Sequence, residues 1–482
     1  MSRRTANAGR PTRQLGYDAV DHGHKRRMAS TNLRTEDAEL ISQKRKQLQA
    51  QAQDAIRNFS IARWAVGKHN DFVSRFNFTS QTKTAFDYEF QSRMREWMDD
   101  PKKCDVTARH TFQRMLRMTE GRAVAAGDHL LIKCHGQKLQ QIESDRIRTV
   151  SLTSNNVVHG VVQDGPGAAI AYQVHRRGRN GSGYEFQKEV PAENCMFHAY
   201  FPGERSDQTR GVGLITSGLN DFIDAYEWTD IAKATEKARA ALAMIFKTTA
   251  EDAIGDHTDW GNGKYKVTFG RGPMKFELDK DDTVEFLSSQ TPAGQTVAFF
   301  NSCIGFALKS LDLPLCFYDE TLTNFFGQRA QFILYIESCK SKRDNLRTNV
   351  LHPLTQWLRA CWIADGSLTL PAGVTSTTLG KMPFAWRPAG LPWWNPVQEV
   401  TANLMAIRGG LANYEDVYLE ATGRDWFEDM LRLKEQQQFL TDNKITLDPT
   451  LAPAMAAFLI GQEQQQNGPL DGLPTAPWGM VV

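Results

Sequence analysis

The chain has 482 residues, of which 41% are hydrophobic, 10% aromatic and 23% charged. This share of apolar residues provides for a large core and excludes a wholly disordered protein. No uncharged apolar run approaches the ~18–20 residues that a membrane-spanning helix needs, and seven cysteines without a Cys-x-x-Cys pair favour neither a disulfide framework nor a zinc site. The formal charge of +2 combines a net +6 over residues 1–57 with a net −4 over the remainder.

The N-terminal 57 residues are predicted to be a basic, partly disordered arm. Residues 1–30 are rich in Arg, Gly and Ser, and residues 35–57 have loose helical spacing. A solvated tail and an arm that touches nucleic acid or a partner are both compatible with this charge. The globular body then begins at about residue 58, with helices predicted over 86–98 and 107–121.

A small antiparallel β region is predicted between residues 123 and 200. Short apolar runs at 130–134, 157–162, 169–174 and 196–201 are separated by Gly, Asn and Asp turn residues. A proline-free helical pattern follows over 215–248. Its first half carries an acidic residue at every third position, and these form the stripe Asp221, Asp224, Glu227 and Asp230.

The second half of the chain is predicted to be mainly helical. A glycine-punctuated insert at 251–287, with short strands at 265–269 and 274–278, precedes a helix over 296–311. A loop then leads to a long helix over 328–364 that is bent or broken near Pro353. After a Pro- and Trp-rich connector, helices are predicted over 397–439, and the Gln-rich tail is expected to be flexible.

The sequence contains no recognisable catalytic motif. The segment 261–265 lacks the spacing and the hydroxyl of a phosphate-binding loop, 211–216 lacks the third glycine of a dinucleotide turn, and no Gly-x-Ser-x-Gly occurs. The pair His22 and His24 is too weak a signal for a metal. We therefore expect no catalytic residue, no metal and no cofactor, which favours a scaffold or assembly subunit.

One stretch resembles the phage portal proteins of the lambda family. A strand that ends at His198 leads to the turn Gln208, Thr209, Arg210 and Gly211, and then to a long helix rich in acidic residues and alanine. The segments 324–330 and 392–396 resemble the family's entry to its second long helix and its later connector. The chain departs from the family pattern at Phe325, where the family has Tyr, and at 326–327, where it has two serines.

The resemblance, which spans residues 15–440, implies an α+β, multi-lobed portal fold. It has long stem helices, a small α/β clip insert, a wing with the antiparallel β region, and a helical crown. The implied segments are the arm, 1–57; the wing, 58–212; the first stem helix, 213–248; the clip, 249–292; the second stem helix, 293–312; the tunnel loop, 313–327; the long wing helix and connector, 328–382; and the crown with its tail, 383–482.

The resemblance also implies a function that needs no enzyme activity. A homo-oligomeric ring, usually of twelve subunits, would form one capsid vertex of the virion after assembly in the host cytoplasm. Duplex DNA would pass through it without sequence specificity. Its implied partners are the terminase large subunit, which carries the ATPase, the major capsid and scaffold proteins, and a head–tail adaptor. No membrane partner is implied.

The same resemblance implies which residues line the DNA channel. The tunnel-loop candidates are Tyr318, Asp319, Glu320, Thr323, Asn324, Phe325, Phe326, Gln328 and Arg329. For Phe325 and Phe326, core packing at the root of the helix and contact with the channel both remain open. The acidic stripe could face either the channel or a neighbouring subunit. Two other classes, a nucleic-acid-processing enzyme and a capsid or tail subunit without a channel, are the alternatives.

Overall fold

The computed structural model describes residues 34–443, except for gaps at 41, 83, 151–155, 179–182, 242–243, 248–282, 287–293, 320, 322–323, 371–373, 375–379, 381, 391–395 and 425. The predicted disordered segment 1–30, the predicted flexible tail and the predicted strands 265–269 and 274–278 lie outside the described residues. The helix predicted over 35–57 is confirmed, as two helices.

Helices and strands both occur in the described residues, as expected for an α+β chain. The helices are α1 Glu36–Glu39, α2 Ser42–Asn58, α3 Ser60–Val73, α4 Ala85–Asp99, α5 Pro101–Cys104, α6 Phe112–Ala126, α7 Leu219–Ala241, α8 Gly294–Lys309, α9 Phe325–Leu346, α10 His352–Ala364, α11 Pro396–Arg408, α12 Tyr414–Thr422 and α13 Trp426–Asp442. The strands are β1 Phe76–Ser80, β2 Asp128–Cys134, β3 Lys138–Glu143, β4 Val157–Val158, β5 Val161–Gln163, β6 Ala169–Arg177, β7 Tyr184–Pro191, β8 Cys195–Ala199, β9 Met244–Lys247, β10 Thr283–Phe286 and β11 Phe384–Pro388.

The chain divides into two compact units. Unit 1 holds the described residues of Met1–Phe72 and Asp100–Leu354, and unit 2 holds those of Val73–Asp99 and Thr355–Val482. The chain therefore passes between the units three times.

Unit 1 contains the predicted antiparallel β region as two sheets, with strand orders β3-β2-β8 and β4-β5-β6-β7. Eight buried residues share one apolar core between them, Leu130, Ile132, Ile142, Ile147, Val161, Tyr172, Val174 and Val190. Helix α6 packs against β2, because its apolar residues recur at helical spacing and form one buried face.

The single strand predicted over 157–162 is wrong. His159 and Gly160 have φ angles of 49° and 84°, so the chain turns there and forms the hairpin β4–β5. The strands β3 and β7 were not predicted from the sequence, because both are rich in polar residues and so lack an apolar run. Most residues of β7 are exposed.

The helix predicted over 215–248 is wrong at both ends. A 3₁₀ turn, Leu214–Gly218, precedes α7, and β9 follows it and pairs with β10 in an antiparallel ladder. A short apolar run such as 244–246 suits a helix or a strand equally, and the pairing partner decides between them. Of the predicted clip, 249–292, only β10 lies within the described residues. Helix α8 lies within the predicted second stem helix, 293–312.

The long helix after the loop begins earlier than predicted. Asn324 adopts an extended conformation and its side-chain oxygen accepts a hydrogen bond from the Gly327 N–H, which is the geometry of an N-cap. Helix α9 therefore starts at Phe325, within the predicted tunnel loop 313–327. The predicted break near Pro353 is confirmed, because a π-helical turn, Arg347–Leu351, separates α9 from α10 where proline removes a backbone donor.

Unit 2 is built around an antiparallel pair of strands distant in sequence, β1 and β11. Trp386 of β11 is buried, and its indole Nε1 donates to Thr355 Oγ1 at 2.8 Å. The ring centroid of Phe78 lies 5.1 Å from that of Trp386 and 5.0 Å from that of Phe90 on α4. These aromatic contacts add to the area buried at this core.

A buried carboxylate organises the interior of unit 1. Glu120 on α6 accepts hydrogen bonds from His69 Nε2 at 2.7 Å, His198 Nε2 at 2.8 Å and the Tyr200 hydroxyl at 2.6 Å. Burial alone would raise the pKa of Glu120, but the hydrogen bonds from His198 and His69 lower it well below its usual value. Burial and the carboxylate together raise the pKa of Tyr200.

We predict that Glu120→Gln destabilises the protein by about 3 kcal/mol at neutral pH, because it removes the charge that three buried donors share. Since the folded-state pKa is lowered from 4.5, this contribution is present above about pH 4.5 and is lost as the pH falls through the folded-state pKa. Denaturant unfolding at pH 7 and pH 3 measures both effects.

The matched control is Glu185→Gln. Its exposed carboxylate pairs with Arg176 at 2.7 Å, and such surface pairs contribute about 0–1 kcal/mol. Equal stability losses for Glu120→Gln at both pH values would contradict the prediction.

Candidate functional site

The turn Gln208, Thr209, Arg210 and Gly211, which we call the family turn, contributes Arg210 to a buried ion pair with Asp128. Arg210 and Asp128 are both fully buried, and the guanidinium donates from Nε and one terminal nitrogen to the two carboxylate oxygens, at 2.8 and 2.7 Å. The remaining guanidinium N–H groups reach the backbone oxygens of Ile147, His159 and Ser144 at 3.1, 2.6 and 3.0 Å. Every donor of Arg210 is thereby used within the chain.

Asp128 is held by a second arginine and by the backbone. Arg45 on α2 lies 3.5 Å from its carboxylate, and the Gly211 N–H donates to it at 3.1 Å. Burial opposes ionisation of Asp128, but the charges of Arg210 and Arg45 lower its pKa to about 2. Burial, with the repulsion from Arg210, lowers the pKa of Arg45 to about 9.

The other residues of the turn complete this arrangement. Gln208 Nε2 donates to the Arg210 carbonyl at 2.7 Å, and the Thr209 N–H donates to Asp37 at 2.9 Å. At Gly211 a Cβ atom would lie 2.0 Å from the Gly127 carbonyl oxygen, so only glycine permits this backbone crossing. The turn motif is therefore a structural clamp.

The acidic stripe of α7 is mostly exposed. Asp224, Glu227 and Asp230 face solvent, Asp221 is half-buried, and Lys233 lies 3.7 Å from Asp230. Phe222 supplies the buried face of the helix. Residues at every third position drift around a helix with 3.6 residues per turn, so the carboxylates wind along the surface and do not converge on one point.

The described part of the predicted tunnel loop is short and internally hydrogen-bonded. A 3₁₀ turn, Leu315–Phe317, is followed by Asp319, whose carboxylate accepts from the Thr321 N–H at 2.9 Å and hydroxyl at 2.6 Å. The ring centroid of Phe317 lies 5.3 Å from that of Tyr335, which anchors the start of the loop. Tyr318 is half-buried.

Some of the remaining tunnel-loop candidates lie at the start of α9, and the others lie outside the described residues. Glu320 and Thr323 lie outside the described residues, and Asn324 is the N-cap of α9. Phe326 is 79% exposed, so its ring is not part of the core of this chain. Gln328 and Arg329 are half-buried in the first turns of α9.

The described part of the chain contains neither a candidate metal site nor a candidate membrane-spanning helix. Among those residues, no three His, Cys, Asp or Glu side chains are placed to hold a metal ion together. None of the described helices combines the length and hydropathy needed to span a membrane.

The buried residues Asp128 and Glu120 were missed by sequence reasoning. Asp128 is a charged residue that opens a strand whose middle residues, Leu130 to Ile132, are apolar. Glu120 lies at helical spacing from the apolar residues of the buried face of α6. A charge inside an apolar pattern is therefore the signal that could have found both.

Comparison with solved structures gives several similar chains. A protein in the virion of a native gene transfer agent particle matches with 11% identity and a TM-score of 0.43, over 76% of this chain and 89% of that one. The HK97-family phage portal protein from Corynebacterium diphtheriae matches with 12% identity and a TM-score of 0.30, over 64% of this chain and 87% of that one.

A comparison with curated proteins gave no match. The family model described as "Phage portal protein, lambda family" matches residues 24–316. This range covers more than half of the chain and includes the turn of Arg210 together with its partners Arg45 and Asp128. The chain belongs to the lambda family of phage portal proteins.

Proposed function

We propose that this chain assembles into a ring of twelve copies at one vertex of a phage capsid, through which duplex DNA is packaged and later ejected. The observation that carries this proposal is the family match over residues 24–316. The terminase large subunit, the major capsid and scaffold proteins and a head–tail adaptor are the proposed partners of the ring in the virion and during assembly.

Exposed apolar side chains on two helices of unit 1 support assembly with other copies. Phe299 and Phe306 on α8 are 63% and 66% exposed, and Phe326 and Ile333 on α9 are 79% and 56% exposed. Each pair is seven residues apart, which places both members on one face of their helix. Apolar rows of this kind are usually covered by a partner, and a neighbouring copy is the partner proposed here.

The charge of the chain supports passage of DNA without tight binding. Outside residues 1–57 the chain has a net charge of −4, and α7 exposes Asp224, Glu227 and Asp230. A surface that neutralised many phosphates would retain the duplex, because each neutralised phosphate adds affinity through counterion release. An acidic surface therefore suits a channel in which DNA slides.

We predict that the purified protein forms particles near twelve times its monomer mass of 54.3 kDa, and that Phe306→Glu shifts them towards monomer. A charge on an apolar face that a neighbour covers is costly to bury. Mass photometry and negative-stain microscopy measure the outcome.

The matched control is Tyr88→Glu, because Tyr88 on α4 is 83% exposed and lies outside α8 and α9. Its particles should match those of the wild type. A wild-type sample that stays at monomer mass across concentration and salt would refute the ring.

We further predict that deletion of residues 318–323 leaves assembly intact but impairs DNA packaging or retention. The deletion removes the turn around Asp319 and Thr321 but keeps Asn324, so α9 retains its N-cap. Loops tolerate such changes better than helices do. Genome length and retention in heads built with the variant are the measurements.

A control for stability alone is Asp100→Ala, which removes the N-cap of α5 at a cost of about 1 kcal/mol and leaves the tunnel loop unchanged. Normal packaging by this variant is expected. Full-length packaging and normal retention by the deletion variant would show that the loop is only a connection between helices.

We also predict that the purified ring neither hydrolyses ATP nor cuts DNA with Mg²⁺ present. The full sequence contains no phosphate-binding loop motif. Steady-state assays with Mg-ATP and with plasmid DNA test this expectation. Turnover that co-purifies with the protein and disappears on a point mutation in this chain would contradict it.

A further inference from the structure

A row of arginines follows one face of α6 in unit 1. Arg114, Arg117 and Arg122 share this face with Met118 and Gly121, and all five line a cleft of about 650 Å³. At 1.5 Å per residue, the row from Arg114 to Arg122 is about 12 Å long. The opposite face of α6 is the buried one, so the arginines belong to the surface that the fold leaves open.

Three further arginines line the same cleft, which we call the arginine cleft. Arg109 follows α5, Arg146 follows β3, and Arg177 ends β6. Asp105 positions the first of them, since its carboxylate accepts hydrogen bonds from the N–H groups of Thr107 and Arg109 at 2.9 and 3.1 Å. The six arginines exceed the lining carboxylates, Asp105 and Glu143, by four charges.

Part of this positive charge is balanced within the chain. Arg117 pairs with Asp71, and Glu143 lies against Arg122 and Arg177. In contrast, within the described part of the chain no carboxylate lies within 4 Å of the guanidinium groups of Arg109 and Arg114, and both side chains are exposed. These two arginines are available to an anion from outside.

The cleft also holds an unsatisfied buried group. His129 lines it, is only 2% exposed, and has no hydrogen-bond partner for either ring nitrogen among the described residues. Buried polar atoms nearly always have a partner, so the two ring nitrogens of His129 are acceptor or donor groups that a molecule bound in the cleft can satisfy. This observation is independent of the arginine row.

We propose that the arginine cleft binds an acidic peptide segment of a partner protein, with carboxylates against Arg109 and Arg114. Carboxylates already pair with the cleft's arginines in this chain, as Asp71 and Glu143 show. Arginine is suited to such pairs because its planar fork matches a carboxylate.

The apolar lining favours a peptide over an inorganic polyanion. Ile56, Val66 and Met118 contribute to the cleft beside the arginines, and these side chains can contact aliphatic groups next to the carboxylates. The inference goes beyond the proposed function, because it concerns one subunit's surface and holds whether or not the ring forms.

The test is a fluorescence-anisotropy titration of the full chain, at about 0.15 M ionic strength, where exposed charges are screened beyond about 8 Å. The probe is a labelled Glu/Ala peptide with glutamates four residues apart, compared with its Gln/Ala counterpart. We expect the Glu peptide alone to bind, and the variant Arg109→Ala/Arg114→Ala to weaken binding about tenfold.

The matched control is Arg63→Ala/Lys68→Ala. It removes the same charge from exposed positions on α3 that do not line the cleft, and its affinity should equal that of the wild type. Thermal unfolding should confirm that both double variants are folded, and Arg114→Gln alone provides a milder second variant.

Three results would overturn the proposal. The first is equal binding of the Gln peptide, and the second is an equal loss of affinity in both double variants. The third is tighter, Arg109- and Arg114-dependent binding of tripolyphosphate or a DNA oligonucleotide, which would assign the cleft to phosphates.

Discussion

The buried ion pair between Arg210 and Asp128 is the interaction on which the rest of unit 1 depends. A 3₁₀ turn, Ser144–Arg146, follows β3. One guanidinium joins this turn to the start of β2 and to the β4–β5 hairpin, because its donors reach Asp128, Ser144 and His159. Removing one partner of a buried pair leaves an uncompensated charge and costs about 3–5 kcal/mol. Together with the shared apolar core, this contact therefore fixes the sheet β3-β2-β8 against the sheet β4-β5-β6-β7.

A second buried carboxylate lies close by in sequence but serves other elements. Glu120 on α6 and Asp128 on β2 are separated by the turn at Gly127, whose φ angle of 99° lets the chain reverse. Glu120 joins α3 and β8 through His69 and His198, whereas Asp128 joins α2 and the family turn. Glu120 and Asp128 are thus two buried carboxylates of unit 1, each satisfied by its own partners.

The fold was predictable where periodicity and turn chemistry were strong. The helix at 86–98 and the break near Pro353 follow from local signals and agree with the structure. Short or polar segments were not predictable, because β9 takes its conformation from pairing with β10 and β7 from pairing with β6. The same limit applied to the turn at Arg210: its residues carried the family resemblance, but its partner Asp128 lies 82 residues away.

The pairing of β1 with β11 determines how the chain can be divided. These strands are joined in one antiparallel ladder, from Phe76 opposite Pro388 to Ser80 opposite Phe384. A fragment ending at residue 354 would retain β1 without β11 and would expose its hydrogen-bonding edge and the ring of Phe78. Unpaired edges of this kind promote aggregation. A soluble fragment must therefore either extend beyond β11 or omit Val73–Asp99, the segment that contributes β1 and α4 to unit 2.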